Sequence, residues 1–221
     1  NGCLVGSEMC IRDRSRLELV VNALQQTQRR ILLVGGGAIA AEAQGEVQAL
    51  AEQLQIPVLT TVDGRGVIPE DHPLCIGNYY NSAGMYQAIA DADLTLAIGT
   101  KFAVGVDGQF AAQTPPGKLV HIDIDSNIVG RTHRAHIGLV ADAKLALQGI
   151  HQKLSELQAN DAQFTDKILH AGEAIRQAMR GRLGTDWPQV MDCIRDKLPA
   201  DSVFVRDQTI SAYNWGNQQF P

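Results

Sequence analysis

The sequence lacks the features that mark membrane, nucleic-acid-binding and disulfide-stapled proteins. No apolar run approaches the roughly 18 residues that a membrane helix needs, and a formal net charge of -5 offers no basic surface to nucleic acid. Cys75 and Cys193 each stand without a second cysteine at metal or redox spacing. We therefore expect a cytoplasmic protein with no membrane and no nucleic acid among its partners.

Two common catalytic motifs are also missing. The sequence contains neither a G-x-S-x-G nucleophile elbow nor a G-x-x-x-x-G-K phosphate loop. Its lysines and arginines are dispersed, which is typical of a solvated surface. What the chain does have is length and apolar content: 221 residues, 45% of them hydrophobic, suit one complete domain and part of a second.

The first 14 residues differ from the rest. They show neither helical nor strand periodicity, and charged residues interrupt the apolar core that a signal peptide would need. Residues 4–13 match, residue for residue, the translated end of a transposon adapter used in some sequencing libraries. We therefore expect residues 1–14 to be non-native, Cys3 and Cys10 to have no functional part, and both ends of the protein to be truncated.

An ordered pattern begins at Ser15, where "SRLE" predicts a capping box and a helix start. Ile31 to Val34 is a short apolar run typical of a strand buried on both faces of a parallel sheet. Pro57 to Thr61 predicts a second strand. The helices around them present apolar inner faces formed by Leu17, Val20, Val21 and Leu24, and by Ala43, Val47, Leu50, Ala51 and Leu54.

The alternation of helix and strand then repeats. A helix at residues 84–93 precedes strands at Leu94 to Gly99, at Lys118 to Asp125 and in "HIGLVAD", and a helix follows from Asp142 to about Leu154. This order predicts an α/β fold with a doubly wound, mainly parallel, Rossmann-like sheet. Ser155 to Gly184 predicts a connecting helix with a stripe of Phe164, Ile168, Ala171, Ile175 and Met179, and a strand at Ser202 to Arg206 starts a second, truncated α/β domain.

The glycine turn after the first strand is a candidate binding site. Gly35, Gly37 and Ala40 have the spacing of the dinucleotide fingerprint, in which backbone N–H groups approach a pyrophosphate. The acidic ribose partner would be Asp63, a few residues late and inside a "DGRG" loop. Two interpretations stay open: a nicotinamide- or adenine-nucleotide-binding domain of an oxidoreductase or sensor, or a tight turn with no ligand.

The stretch "HIDID" is a second candidate. If His121, Asp123 and Asp125 alternate along a strand, they share one face, and with His133 and His136 nearby they could hold a metal. The favoured interpretation is that these are the polar residues usual at the ligand-bearing edge of such a sheet, with an aspartate that suits a turn.

Five motifs together resemble a known family. They are "RRILLVGGG", "AEQLQIPVLTTVDGRGVIPEDHPLCIG", "AIADADLTLAIGTKF", "KLVHIDIDSNIVG" and "GLVADAKLAL". In this order they resemble the central domain of thiamine-diphosphate-dependent enzymes of the acetolactate synthase-like group, from about Arg16 to Leu154. "LPADSVFVRDQTISAYNWGNQ" is similar to the start of their diphosphate-binding domain. The resemblance implies a central domain at 15–154, a helical linker at 155–185 and a truncated C-terminal domain at 186–221.

The resemblance implies an enzyme, a lyase or transferase. Family members decarboxylate 2-oxo acids or join the acyl unit to another carbonyl compound, using thiamine diphosphate held through Mg2+. Their activating glutamate and G-D-G metal motif lie in parts that this sequence does not contain, so we assign no catalytic residue and no metal ligand and expect the fragment alone to be inactive. We also expect a small 2-oxo acid substrate and, at full length, a homodimer or homotetramer.

The resemblance also implies cofactor contacts. Gln208, Thr209 and Ser211 stand where family members contact the diphosphate. Some members hold FAD or another adenine nucleotide in the central domain. The corresponding positions here, in the glycine turn, the "AIG" loop and the "HIDID" end, are Gly35, Gly36, Gly37, Gly99, Lys101 and Asp123. The "AIG" loop lacks the acidic pair of acetohydroxyacid synthases, and Lys101 stands in place of their arginine.

Overall fold

The computed structural model describes residues 11–102, 113–153, 157–199 and 202. The strands are β1 (Arg30–Val34), β2 (Val58–Thr60), β3 (Cys75–Gly77), β4 (Leu94–Ile98), β5 (Lys118–Asp123) and β6 (Ile137–Val140). The helices are α1 (Ile11–Gln25), α2 (Gly36–Ala40), α3 (Gln44–Leu54), α4 (Ala83–Ile89), α5 (Ala143–His151), α6 (Ala162–Arg182) and α7 (Asp186–Lys197), and a 3-10 turn spans Val62–Gly64.

The strands form one parallel sheet in the order β3-β2-β1-β4-β5-β6. Every residue of β1 and β4 is buried, as expected from continuous apolar runs in the centre of such a sheet. The chain reverses its direction of winding between β1 and β4. This architecture confirms the predicted doubly wound, Rossmann-like α/β fold.

Each face of the sheet has its own hydrophobic core. Because side chains alternate along a strand, Leu32 and Val34 pack with α1, α3 and α5, whereas Ile31 and Leu33 pack with α4 and α6. The inner faces predicted for α1 and α3 are buried in full. In the stripe of α6, Phe164 and Ile168 are buried. The other three members of the stripe, Ala171, Ile175 and Met179, are partly buried against the same core. The periodic pattern thus identified the sides on which these helices pack.

The start of α1 corrects the sequence-based prediction. The helix begins at Ile11, so Ser15 lies inside it and the predicted capping box at Ser15 is wrong. The arginines and aspartate before Ser15 can continue a helix, so that Ser15 does not have to start one. Cys3 and Cys10 lie outside the described residues, and the adapter origin of residues 1–14 stays a prediction.

Two other local features differ from the pattern. The helix predicted from Ala43 to Leu54 is confirmed as α3, and a short helix that was not predicted, α2, precedes it. The two are separated at Glu42, which has a φ of 52° in the left-handed region. The edge strand β3 was not predicted, since its three residues are too few to show a period. Leu154 and the strand predicted at Ser202 to Arg206 fall outside the described residues, Ser202 excepted. No helix in the described part of the chain is long and apolar enough to cross a membrane.

A buried arginine at the amino end of the sheet forms hydrogen bonds to the end of α1 and to the segment that precedes α6. Arg30 is 0% exposed, and its guanidinium donates to the carbonyl oxygens of Leu24 at 2.7 Å, of Gln158 at 2.8 Å and of Thr27. These carbonyls belong to the end of α1 and to the segment before α6. Burial lowers the pKa of Arg30, and the group stays charged because an arginine loses its proton only far above neutral pH.

We predict that Arg30→Met destabilises the fold by roughly 3 kcal/mol, because it removes the hydrogen bonds that a buried guanidinium donates to three carbonyl oxygens. The neighbouring Arg29→Met is the control, since Arg29 forms an exposed ion pair with Asp93 and such pairs contribute little. Urea unfolding followed by circular dichroism measures both variants. Equal midpoints for the two would contradict this role for Arg30.

Candidate functional site

The candidate site lies at the carboxyl ends of β1 and β4, where the sheet changes its winding direction and doubly wound folds bind ligands. The turn Gly35–Gly37 follows β1, and the loop Gly99–Phe102 follows β4. The two contact each other through the main chain: Gly35 N donates to Ile98 O at 2.9 Å, and Gly37 N donates to Gly99 O at 2.9 Å. We call this arrangement of Gly35, Gly37 and Gly99 the glycine contact.

The glycine contact leaves no space for side chains. A Cβ on Gly35 would lie 2.4 Å from Gly99 O, and one on Gly37 would lie 2.7 Å from Gly99 Cα. Gly99 also has a φ of +58°, which favours glycine. The glycines are therefore explained by the close approach of two loops. Because the N–H groups of Gly35 and Gly37 already donate to carbonyls, a phosphate could not use them without displacing β4.

Asp63 lies beside the glycine turn. It belongs to the 3-10 turn after β2, in which Thr61 Oγ1 accepts from Gly64 N at 3.2 Å. A Cβ on Gly36 would lie 3.0 Å from the Cβ of Asp63, and one on Gly64 would lie 2.2 Å from Val34 O. The loop after β2 thus packs against the middle of the glycine turn.

The "HIDID" segment forms a turn at the end of β5. The strand stops at Asp123, whose Oδ1 accepts from Asp125 N at 2.9 Å, and Asp125 Oδ1 accepts in turn from Asn127 N at 2.9 Å. The favoured interpretation of this aspartate as a turn residue is confirmed. The supposed alternation of Asp125 on a strand was wrong, because the chain leaves the sheet two residues earlier.

The metal interpretation does not match the placement of these side chains. His136 Nδ1 accepts from Leu119 N at 3.0 Å, near the amino end of β5, whereas Asp123 lies at its carboxyl end. Among the described residues, no three His, Cys, Asp or Glu side chains are grouped so that they could hold a metal ion.

His121 is the polar residue most deeply built into the site. It is 1% exposed; its Nε2 lies 3.0 Å from Thr100 O, and its Nδ1 accepts from Gly130 N at 3.2 Å. Since Nδ1 accepts a hydrogen bond, the neutral ring carries its proton on Nε2 and donates it to Thr100. Burial lowers the pKa of His121. The sequence analysis considered His121 only as a possible metal ligand. Its position within an otherwise apolar strand was the signal that it is buried and bonds to the main chain.

Further contacts hold the loop that carries Lys101. Thr132 Oγ1 donates to Lys101 O at 3.1 Å. The Phe102 ring meets His121 edge-on at 5.2 Å between centroids and His133 at 4.9 Å. Lys101 itself is exposed at the same edge of the sheet. The loop thus presents a positive charge on a firmly held backbone.

The edge also exposes apolar side chains. Val62, after β2, is 47% exposed, and Ile124, after β5, is 51% exposed. This edge of the sheet therefore combines the positive charge of Lys101 with exposed apolar surface. The predicted diphosphate contacts Gln208, Thr209 and Ser211 lie outside the described residues.

Comparison with protein families gives a match over more than half of the chain. The model described as "Thiamine pyrophosphate enzyme, central domain" matches residues 17–150. This span runs from α1 into α5 and contains the whole sheet. It confirms the resemblance inferred from the five motifs.

Several curated proteins are similar to this chain. A probable acetolactate synthase large subunit of Methanocaldococcus jannaschii is 35% identical over 71% of the chain and 26% of its own length. A probable 2-ketoarginine decarboxylase of Pseudomonas aeruginosa is 33% identical over 92% of the chain and 36% of its own length. A glyoxylate carboligase of Escherichia coli O157:H7 is 35% identical over 66% of the chain and 25% of its own length. The chain thus spans about a quarter to a third of these relatives.

We predict that Gly99→Ala lowers the free energy of unfolding by roughly 2 kcal/mol or more, since it adds a left-handed alanine and places a Cβ 2.6 Å from Ala38 N. Gly45→Ala is the control: nothing lies within 4 Å of its added Cβ, so we expect a gain of roughly 0.5–1 kcal/mol in α3. Chemical denaturation measures both. A Gly99→Ala variant as stable as the unaltered chain would contradict the glycine contact.

Proposed function

This chain belongs to the thiamine pyrophosphate enzyme family as one of its central domains, and from that premise we propose that it serves a thiamine-diphosphate-dependent decarboxylase or carboligase of 2-oxo acids. The observation that carries the proposal is the family match over residues 17–150. The similar proteins support it, because their names include a synthase, a decarboxylase and a carboligase. The substrate proposed for the whole protein is a small 2-oxo acid.

In this proposal the described residues form a scaffold. Thiamine diphosphate, when bound, supplies the electron sink that stabilises a carbanion. The proposed holders of the diphosphate are Gln208, Thr209 and Ser211, which stand where members of the family contact it. In the proposed division into a central domain at 15–154, a linker at 155–185 and a C-terminal domain at 186–221, these three residues belong to the C-terminal domain.

We propose a second binding role, for FAD or another adenine nucleotide across the carboxyl edge of the sheet. Gly35, Gly36, Gly37 and Gly99 would form a floor free of side chains, and Asp123 would line its border. Since two N–H groups of the floor already have acceptors, the exposed ammonium of Lys101 would supply the positive charge for the phosphates. Val62 and Ile124 offer apolar surface to the flat ring.

A nicotinamide-dependent oxidoreductase is not favoured. The family match and the names of the relatives are those of thiamine enzymes. The fingerprint would also need free N–H groups at the glycine turn, whereas Gly35 and Gly37 donate to Ile98 and Gly99.

We predict that the purified chain, supplied with thiamine diphosphate and Mg2+, does not release CO2 from pyruvate. The physical reason is that none of its described residues forms a metal site or a proposed catalytic base. The control is the longer enzyme, with the sequence of this chain embedded in it, which we expect to be active on a 2-oxo acid. Turnover by the isolated chain, or inactivity of the longer enzyme on every 2-oxo acid tried, would contradict the proposal.

We predict that ADP binds to the chain in calorimetry and that Lys101→Met weakens this binding roughly three- to fivefold, the effect of losing one solvent-exposed charge contact. Lys118→Met is the matched control, because Lys118 is an exposed lysine at the opposite, amino end of β5. Its affinity should equal that of the unaltered chain. The nucleotide role is contradicted if ADP shows no saturable binding to the unaltered chain, or if the Lys101→Met and Lys118→Met variants bind ADP with equal affinity.

A further inference from the structure

Every carbonyl group from Gly99 to Lys101 has a donor. Gly99 O accepts from Gly37 N, Thr100 O accepts from His121 Nε2, and Lys101 O accepts from Thr132 Oγ1. Two of these donors, His121 and Thr132, belong to β5 and to the turn that follows it. The position of the loop after β4 therefore depends on the position of the turn after β5.

His121 connects the loop to the turn. One ring nitrogen donates to Thr100 O and the other accepts from Gly130 N. A ring with two protons has no acceptor, so it would set an N–H group against the N–H group of Gly130. Gly130 has a φ of +74°, and the same turn continues to Thr132, which bonds to Lys101 O. Loss of the Gly130 bond would thus affect two attachments of the loop.

We propose that His121 is a positioning residue: its neutral, Nε2-protonated ring holds the loop Gly99–Phe102 against the turn at Gly130. A second proton, on Nδ1, breaks the bond from Gly130 N while the Nε2–H bond to Thr100 O remains, so the loop is no longer held against that turn. This inference deepens the proposed nucleotide role, on which it rests for one point only, that the loop presents Lys101 to a ligand. The hydrogen-bond geometry of the loop is independent of any ligand.

The charged and titratable groups around His121 act in opposite directions. The Asp123 carboxylate, on the same strand, favours the charged form of the His121 ring. His133, which lies on the other side of Phe102, disfavours that charged form. The neighbouring strands contribute the uncharged residues Ala97 and Gly138. Burial is the largest effect and lowers the pKa of His121; it also lowers the pKa of His133.

The direction of the pH effect follows from this lowered pKa. An unfolded histidine takes up its proton near pH 6.5, whereas the folded His121 ring takes it up at a lower pH. The stabilisation by His121 is therefore complete above about pH 6.5 and is lost as the pH falls from there toward the lowered pKa. A locally opened loop exposes His121 to water, where the ring takes up its proton near pH 6.5, so opening of the loop is increasingly favoured as the pH falls through the same window.

The test follows the Gly130 amide in the 15N-labelled full chain without ligand. We expect its hydrogen exchange, corrected for the intrinsic pH dependence, to accelerate at least about tenfold between pH 7.5 and pH 5 as the acceptor is lost. In His121→Asn the amide oxygen can replace Nδ1 as acceptor without titrating, so exchange should be independent of pH. His133→Gln, which alters the other side of Phe102, should keep the response of the unaltered chain.

The inference is overturned if the Gly130 amide does not respond to pH, or if His121→Asn responds as the unaltered chain does. If His121→Asn does not fold, the 15N shifts of the His121 ring decide: a proton on Nδ1 at pH 7.5 refutes the inference, and one on Nε2 that is joined by a second proton as Gly130 exchange rises supports it. Failure of ADP to bind would refute the nucleotide role alone, because this readout needs no ligand.

Discussion

The organisation of the site depends on the main-chain contact between two loops at the centre of the sheet. Gly37 N donates to Gly99 O, and no side chain fits at either position. This contact fixes the loops after β1 and β4 relative to each other. It also uses the N–H groups of Gly35 and Gly37, which a dinucleotide fold would offer to phosphate. In the proposed nucleotide role, the exposed Lys101 therefore supplies the positive charge.

Two buried polar side chains hold the opposite ends of the same sheet. Arg30 satisfies carbonyl groups at the amino end, and His121 joins two loops at the carboxyl end. The two side chains differ in how their charge depends on pH. The guanidinium stays charged at any pH the protein meets, whereas the imidazole must be neutral to accept from Gly130. The amino end is therefore a constant anchor, and the carboxyl end, where ligands bind in this fold, can respond to pH.

Much of the fold could be predicted from the sequence, because β1, β4 and the inner faces of α1 and α3 follow from runs and periods of apolar residues. The edge strand β3 could not, since three residues carry no period. The location of the site, at the carboxyl ends of the central strands, could be predicted from the sequence. The hydrogen bonds between its loops could not. Which carbonyl Gly37 N meets, and that His121 faces Thr100, depend on loops far apart in the sequence and brought together only by the parallel order of the strands.

The glycine contact is, in this interpretation, a fixed part of the scaffold over which a ligand would lie. The most direct measurement is the scalar coupling across the hydrogen bond from Gly37 N to the Gly99 carbonyl carbon, in deuterated protein with and without saturating ADP. We expect this coupling to be present and unchanged by ADP. Its absence from the free chain, or its loss together with a large shift of the Gly37 amide when ADP is added, would contradict the account.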